Sequence, residues 1–263
     1  DLGFGPGTVV DWTPRRPELA CAANSVSLLM PFIEPYFVRA VGRALPQLGD
    51  ELAQQARAYM GQEAQHHRQH RQFNHHLIDR YRGLAPIERM AERCYRWLES
   101  SRSLRFSLAF VAGSETFAYA GARWVANRHQ ELVAGADPTA ASVFQWHLAE
   151  EVEHKAVAID VYRAVDGSRR RYLPATLLSL VLFALFVVAG TTVMVVAEGR
   201  WWRPVAWWRL TAWMVTFAFE LLPAVVLSAL RGHHPDQQAD PLWYGVWLRS
   251  LDGELGIDEV RSS

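Results

Sequence analysis

The sequence predicts an all-α fold in which a four-helix bundle is followed by an apolar helical hairpin. Apolar residues recur with helical periodicity between about Ser25 and Val165, and no strand-like alternation competes with that period. Two segments of this region share the spacing Glu-x-x-His, which places both side chains on one helical face. After Asp166-Gly167 the composition changes sharply to long uncharged stretches, which predict the hairpin.

The first two predicted helices are joined by a short connection. Helix one runs from about Ser27 to Leu45, and Pro31 and Pro35 are expected to disturb its early part. Helix two runs from about Asp50 to Arg82, with Asp50 as its N-cap and Gly83 as its stop.

The third and fourth predicted helices complete the bundle. The third covers about Ile87 to His129 and is interrupted near Ser100 to Ser103, where residues of weak helix propensity cluster. The fourth begins after Asp137-Pro138, a capping residue followed by proline at the first helical position, and ends near Asp166-Gly167.

We expect three regions along the chain: an N-terminal extension (1–24), the bundle (25–168) and the hairpin with its tail (169–263). Within the last region, Tyr172 to Ala197 contains no charged residue, a run longer than the roughly 20 apolar residues that cross a bilayer. A second apolar run, Leu210 to Leu230, is interrupted by Glu220 alone. The hairpin therefore lies in or on a membrane, or it is buried in the protein or in an oligomer interface.

Tryptophans and arginines gather between the two apolar runs, as they do at a lipid headgroup boundary. Three arginines, at 169–171, precede the hairpin and Arg231 follows it, which would mark one cytoplasmic side. Arginines in the connecting loop weaken that rule, so a shallow hairpin that does not cross the bilayer also fits. The tail, 241–263, is too short to form a domain.

Composition excludes several classes of protein. Half of the 263 residues are hydrophobic, which is enough for a substantial core. Basic and acidic residues balance at 27 each, so no net positive field attracts nucleic acid. Cys21 and Cys94 are far apart, which argues against a disulfide framework, a zinc ribbon or an iron–sulfur cluster. The cysteines and an N-terminus without a secretory pattern predict a cytoplasmic location.

The two Glu-x-x-His segments, with one acidic residue on each of the other two bundle helices, predict a pair of metal ions. Carboxylate-bridged dimetal centres in four-helix bundles use this ligand complement. Buried acids and imidazoles are costly unless they are paired or bind metal. The mixed oxygen and nitrogen donors favour an Fe/Fe or Mn/Fe pair. The predicted ligands are Glu34, Glu63, His66, Glu115, Glu151 and His154.

Helical angle alone does not separate His66 from His67, or Glu151 from Glu150. We favour His66 and Glu151 because they keep the Glu-x-x-His spacing, and His67 and Glu150 stay as alternates.

Two of the predicted acidic ligands have competing roles. Pro35 disfavours helical geometry at Glu34, so Glu34 as an N-cap competes with Glu34 as a ligand. Glu115 lies among small and apolar residues, where a structural salt bridge is the alternative.

His70 and His147 each lie one turn from a predicted ligand. Each is an extra nitrogen ligand, a partner that orients a ligand, or a proton donor. We expect the orienting role for both.

Four motifs resemble a bacterial family described as predicted metal-dependent hydrolases, whose fold is similar to that of ferritin-like dimetal proteins. These motifs are Pro31 to Phe37, Gly61 to His67, Gly113 to Glu115 and Trp146 to Tyr162. The resemblance covers nearly the whole chain, including the apolar C-terminal part. It implies the dimetal site more directly than the reaction, because ferritin-like carboxylate sites more often activate dioxygen.

The leading functional prediction is an oxygen-dependent oxidoreductase, such as a monooxygenase, that uses O2 as co-substrate to oxidise a small apolar or aromatic molecule. An external electron donor is then required, because the sequence contains no flavin, nicotinamide or iron–sulfur motif. The first alternative is a hydrolase in which a metal-bound hydroxide attacks an ester or phosphoester. The second is a non-catalytic iron-binding or structural membrane protein.

The expected partners are a small-molecule substrate, the electron donor, a membrane surface contacted through residues 172–230, and a second copy of the chain in a homodimer. Nucleic acid is not expected.

Overall fold

A computed structural model describes Leu2 and residues 4–228, 234–235 and 240–241. Within these ranges all α-helices and short 3₁₀ turns are joined by loops, without a strand. The α-helices are α1 (Pro17–Ala44), α2 (Asp50–Arg80), α3 (Ala85–Ser101), α4 (Leu104–Ala126), α5 (His129–Val133), α6 (Pro138–Val165), α7 (Arg169–Ala197) and α8 (Pro204–Ser228). The predicted all-α fold is confirmed.

The first helix tolerates both of its internal prolines. α1 begins at Pro17 rather than near Ser27, and Pro31 lacks the N–H that would bind the carbonyl of Ser27. That carbonyl instead accepts a hydrogen bond from Asn74 Nδ2 of α2 at 2.8 Å. Glu34 consequently lies in mid-helix, so the predicted N-cap alternative for Glu34 is wrong.

Side-chain caps fix two of the helix starts. Ser103 Oγ accepts a hydrogen bond from the backbone N–H of Phe106 at 3.3 Å at the start of α4. The predicted third helix is therefore broken at its serine cluster, as expected. Asp137 Oδ1 accepts from the N–H of Ala140 at 2.9 Å and begins α6, which confirms the predicted capping residue.

Two boundaries differ from the prediction. Gly49 is the N-cap of α2, and Asp50 lies in the first turn, where its negative charge is favourable at a helix N-terminus. The predicted third helix ends at Ala126, and His129 begins the separate short helix α5.

The bundle consists of α1, α2, α4 and α6. α1 packs against α2 and α4, and α6 packs against the same two helices from the other side. α3 packs on the outside of α1. The largest fully buried side chains fill the interior and include Leu28, Tyr36, Tyr59, Phe73 and Phe110.

The hairpin packs on the side of the bundle formed by α1 and α4. A Cβ atom at Gly113 of α4 would lie 2.3 Å from Thr176 Oγ1 of α7. A Cβ atom at Gly190 of α7 would lie 2.8 Å from Ser25 Oγ of α1, and Ser25 Oγ also hydrogen-bonds Thr191 Oγ1 at 3.1 Å. Small residues and paired hydroxyls therefore let α7 approach both bundle helices closely.

Both hairpin helices are long and apolar enough to cross a membrane, judged by length and composition. Only 6% of the most apolar window of α8 is buried, so the predicted alternative of burial within the protein is wrong for α8. Large apolar side chains are exposed along the outer face of the hairpin, among them Leu177, Leu185, Trp208, Phe219 and Leu222. Arg231 and residues 242–263 of the predicted tail lie outside the described residues.

Candidate metal centre

The four bundle helices bury all six predicted ligands, and five of the six have donor atoms in one of two groups, whereas Glu115 is in neither group. α1 provides one glutamate, α4 provides another, and α2 and α6 provide one Glu-x-x-His pair each; none of the six is more than 5% exposed. One group of donor atoms within 4.8 Å of one another comes from Glu63, His66, Glu151 and His154. A second such group comes from Glu34, His70 and His147.

Every one of the six side chains has a buried polar atom without a hydrogen-bond partner. An unsatisfied buried polar group costs about 1–3 kcal/mol, and more when it is charged. Cations held between these atoms would satisfy them together, so the donor set fits metal ions. The unpartnered atoms are Glu34 Oε1 and Oε2, Glu63 Oε1, His66 Nδ1, Glu115 Oε2, Glu151 Oε2 and His154 Nδ1.

The two Glu-x-x-His imidazoles are oriented by partners on their far nitrogens. His66 Nε2 lies 2.7 Å from Glu150 Oε2, and His154 Nε2 lies 3.0 Å from Gln62 Oε1. Each Nδ1 atom then faces the cluster, where His154 Nδ1 is 2.9 Å and His66 Nδ1 is 3.8 Å from Glu63 Oε1. Metal-binding histidines typically bond an acceptor through the other ring nitrogen in this way.

The alternates His67 and Glu150 lie outside the cluster. His67 is half-buried, and its Nδ1 atom contacts a backbone carbonyl one turn earlier at 3.2 Å. Glu150 accepts a hydrogen bond from Trp146 Nε1 at 2.8 Å in addition to its contact with His66. His66 and Glu151 are therefore the members of each adjacent pair that face the other donors.

Glu115 is bound by a phenol rather than by a cationic side chain. Tyr59 Oη donates a hydrogen bond to Glu115 Oε1 at 2.7 Å, and both side chains are buried. Among the residues that the structure describes, no arginine or lysine forms an ion pair with Glu115, so nothing here supports the alternative of a structural salt bridge.

A hydrogen-bonded chain links α1, α2 and α6 beside the cluster. Ser27 Oγ donates to Asn74 Oδ1 at 2.7 Å and lies 2.8 Å from His70 Nδ1. His70 Nε2 lies 2.7 Å from His147 Nδ1. The chain ends at His147 Nε2, which is 2.8 Å from Glu151 Oε1.

Sequence reasoning missed Ser27, Asn74, Gln62 and the role of Tyr59. Asn74 follows His70 by one helical turn, and that spacing was the available indication that both share the inward face of α2. The other three are recognised by contacts between helices, which spacing along one helix does not report.

Burial and crowding of like charges shift the pKa values of the cluster. Burial raises the pKa of Glu34 and of Glu115 well above the usual range, and the neighbouring carboxylates raise both further. Burial also raises the pKa of Glu151, to about 7. Burial alone would lower the pKa of His154, but the surrounding carboxylates, first of all Glu63, raise it to about 10. The cluster therefore favours bound positive charge.

The other imidazoles are held neutral. Burial and the neighbouring imidazoles lower the pKa of His66 and His70 well below the usual range. Burial lowers the pKa of His147 to about 4. Neutral imidazole is the form that binds metal.

The cluster approaches solvent at the seam between α2 and α6. The side chains of His147 and Glu150 are 12% and 21% exposed, whereas His66 beside them is fully buried. His147 and Glu150 are therefore the partly exposed side chains that adjoin the buried donors.

A family model described as "Predicted metal-dependent hydrolase" matches residues 1–239, which include the bundle and both hairpin helices. No curated protein matches the chain, and no solved structure matches it.

This match contradicts the predicted oxygen-dependent oxidoreductase and supports the hydrolase alternative. The physical reason for the error is that the ligand set does not specify the reaction, since the same donors serve Lewis-acid hydrolysis and dioxygen chemistry. Hydrolysis consumes no O2 and no reductant, so the match gives no support to the predicted O2 co-substrate, and the predicted electron donor stays untested. The choice of iron or manganese stays a prediction from ligand type.

Proposed function

Because the chain belongs to the family described as predicted metal-dependent hydrolases, we propose that it hydrolyses a small molecule at the buried glutamate and histidine cluster. The observation that carries the proposal is that all six side chains have an unpartnered buried polar atom, and that five of the six belong to one of the two donor groups. The residues that would hold two metal ions are Glu34, Glu63, His66, Glu115, Glu151 and His154.

Charge supports a pair of divalent cations. The cluster contains four glutamates, and among the described residues none of the four is paired with an arginine or lysine. Four carboxylates offset the charge of two divalent ions, so the loaded centre is neutral and is tolerated in the low-dielectric interior.

Bound divalent cations supply Lewis-acid polarisation of the substrate oxygen and activation of the attacking water. The side chains around them hold the geometry. Glu150 and Gln62 fix the ring orientations of His66 and His154 through the far nitrogens. Tyr59 holds Glu115 through one oxygen and leaves the other free.

The surroundings favour a neutral carboxylic ester over an anionic phosphoester. Enzymes that bind phosphate typically provide arginine, lysine or backbone N–H groups in addition to metal. The described side chains next to the donors are instead aromatic, amide or acidic groups, among them Tyr59, Trp146, Gln62 and Glu150.

The test uses the purified full chain, loaded with Zn²⁺ or Mn²⁺ and assayed without oxygen against p-nitrophenyl butyrate and bis(p-nitrophenyl) phosphate. We expect turnover of the ester that EDTA abolishes and added metal restores. Glu63→Gln should remove it, whereas Glu51→Gln, an exposed carboxylate on the same helix, should not. Absence of metal-dependent turnover of both compounds contradicts the proposal, and preference for the phosphodiester contradicts the ester assignment.

The location that we propose is the surface of a lipid bilayer, contacted by the outer face of α7 and α8. Leu185 and Phe219 on this face are 63% and 75% exposed. Exposure of large apolar side chains to water is unfavourable, and contact with lipid removes that exposure. Trp201, Trp202 and Trp208 lie exposed at the hairpin turn and the start of α8, as aromatic residues do at headgroups.

Packing supports a hairpin that lies along the bilayer rather than across it. α7 contacts the bundle at Thr176, which lies beside Gly113, and again at Gly190, which lies beside Ser25. The bundle and α7 therefore lie side by side along this length of the helix. A bilayer that surrounded α7 would therefore surround the bundle as well.

The opposite side of the bundle is unsuited to lipid. α2 exposes arginines at 57, 68 and 71, around the residues that bond the cluster and its hydrogen-bonded chain. An arginine at the bilayer centre costs about 2.5–3.5 kcal/mol on insertion scales. Contact through one apolar face avoids that cost.

A further inference from the structure

The hydrogen-bonded chain beside the cluster has a fixed direction. Asn74 Nδ2 donates to the backbone carbonyl of Ser27 at 2.8 Å, so the other amide atom, Oδ1, is the acceptor of the Ser27 hydroxyl at 2.7 Å. A hydroxyl has one proton to donate. Ser27 Oγ must therefore accept from His70 Nδ1, which lies 2.8 Å away and carries the proton.

The position of the proton on His70 determines which nitrogen of His147 carries a proton. The His70 ring is 1% exposed, and its two nitrogens bond Ser27 and His147. Among the described residues no carboxylate forms an ion pair with His70, although a Glu34 oxygen lies within 4.8 Å of it. A buried uncompensated imidazolium is costly, so the ring is neutral and has one N–H. His70 Nε2 is then bare and accepts the Nδ1 proton of His147 at 2.7 Å.

His147 consequently presents a bare nitrogen to the acids. Its Nε2 atom lies 2.8 Å from Glu151 Oε1 and 3.8 Å from Glu34 Oε1. A nitrogen lone pair and a carboxylate oxygen repel each other at this distance unless a proton or a metal ion lies between them. Donor atoms of His147 and Glu34 belong to one group within 4.8 Å, so a metal ion can take the place of the proton between His147 Nε2 and the acids.

We propose that His147 Nε2 is a third nitrogen ligand of the metal centre, on the side of Glu34, and that His70, Ser27 and Asn74 position it. This inference rests on the metal centre proposed above. It assigns direct ligation to His147, for which the sequence favoured an orienting role, and keeps the orienting role for His70.

A third imidazole makes the two metal positions unequal. His66 and His154 belong to the donor group that contains Glu63 and Glu151, whereas His147 belongs to the group that contains Glu34. One position then has two imidazoles available and the other has one. Imidazole nitrogen favours Zn²⁺ or Co²⁺ over Mn²⁺, so the nitrogen-rich position should retain these ions more strongly.

The experiment titrates Co²⁺ into the metal-free full chain, with calorimetry for affinity and X-ray absorption for the number of imidazole ligands. We expect two bound ions of unequal affinity and three imidazoles per pair of ions. His147→Ala should lose one imidazole and weaken one of the two affinities by more than about 100-fold, beyond the range typical of outer partners. His75→Ala, an exposed histidine of α2, should change neither readout.

A second variant leaves His147 in place. Ser27→Ala removes the acceptor that fixes the His70 proton, so we expect three imidazoles with an affinity about 10–100-fold weaker. If His147→Ala does not fold, Ser27→Ala still provides a test. An unchanged metal affinity in Ser27→Ala overturns the positioning role of Ser27 and His70.

An unchanged imidazole count and affinity in His147→Ala overturn the ligand assignment. Ester hydrolysis measured on the same preparations separates this result from the proposed function. A three-imidazole centre without turnover contradicts the hydrolase alone, and turnover with a two-imidazole centre contradicts the third ligand alone.

Discussion

The Nδ1 atom of His154 lies 2.9 Å from Oε1 of Glu63, and neither atom has a hydrogen-bond partner with adequate geometry. Two atoms that both attract positive charge are thus held together by helices α6 and α2. Without a metal, a proton is the only cation small enough to occupy this position. The stability of the metal-free protein should therefore depend on pH in a way that metal removes.

We expect the metal-free protein to lose stability as pH rises from 7 to 9. The pKa of His154 is raised from 6.5 to about 10, so between these values the folded state holds a proton that the unfolded state has lost. The raised pKa values of Glu34 and Glu115 act in the same direction above 4.5, the ordinary glutamate value, for as long as the folded state keeps those protons. Each such proton changes the unfolding free energy by about 1.4 kcal/mol per pH unit.

The lowered pKa values of His66, His70 and His147 oppose this trend only near pH 7, because above about pH 7.5 imidazoles of ordinary pKa are mostly neutral in the unfolded state as well. Thermal unfolding followed by circular dichroism, with EDTA and with Zn²⁺, measures the effect. A metal-free melting temperature that is constant or rises over this window contradicts the prediction.

Glu150→Ala should weaken metal binding without removing a ligand. Glu150 Oε2 lies 2.7 Å from His66 Nε2, and its loss frees the ring to rotate. Such partners typically contribute about 10–100-fold in affinity. Calorimetry with Zn²⁺ provides the measurement, and His67→Ala, which removes an imidazole outside the cluster, is the control with expected unchanged affinity.

Gly113→Val should destabilise the fold, because the new Cβ would lie 2.8 Å from the backbone Cα of Thr176 and would also meet its side chain. We expect a loss of unfolding free energy greater than the roughly 1–3 kcal/mol of ordinary overpacking, since backbone atoms would have to move. Urea unfolding measures the change. Thr176→Ala should rescue it only in part, since Cα and Cβ remain. Gly61→Ala on α2 meets nothing within 4 Å and should stabilise by about 1 kcal/mol; a comparable loss at both glycines would refute the close contact.

In a flotation assay, we expect the chain to bind vesicles of phosphatidylcholine and phosphatidylglycerol through the apolar face of the hairpin. Leu185→Asp with Phe219→Asp should abolish flotation, because both side chains are exposed on that face. Trp97→Ser, an exposed aromatic residue of α3, should not. Flotation that survives the double substitution, or a dimer in which this face is occluded, would exclude the bilayer contact.

Labelling of cysteines placed on α2 tests how the bound protein is oriented relative to the bilayer. In a Cys94→Ser background, we expect Arg57→Cys and Arg71→Cys to react equally with a membrane-impermeant maleimide, because α2 faces water along its length. Protection of one of the two positions would indicate a bundle that crosses the bilayer.

The sequence predicted those features that depend on neighbours along one helix. The Glu-x-x-His spacing places Glu63 and His66 on one face whatever the tertiary packing. Asp137 is a strong N-cap because its carboxylate reaches the N–H of Ala140 within one turn.

Features that depend on contacts between helices were not predictable in this way. The local preference against helix at Glu34, caused by Pro35, is overcome by the burial of α1 against α2, α4 and α7. The direction of the chain through Ser27 and Asn74 depends on side chains of two helices. Reaction type was also undetermined, because Glu and His ligands alone are compatible with hydrolysis and with oxidation.

Pro31 acts on the metal centre from a distance. A residue with an amide hydrogen at that position would offer the Ser27 carbonyl a competing donor, and the Asn74 amide could then turn to present its NH₂ group to the serine hydroxyl. Every donor and acceptor from there to His147 would exchange roles. Pro31 thus removes one competing donor for the Ser27 carbonyl, and this favours the amide orientation from which the bare nitrogen of His147 follows.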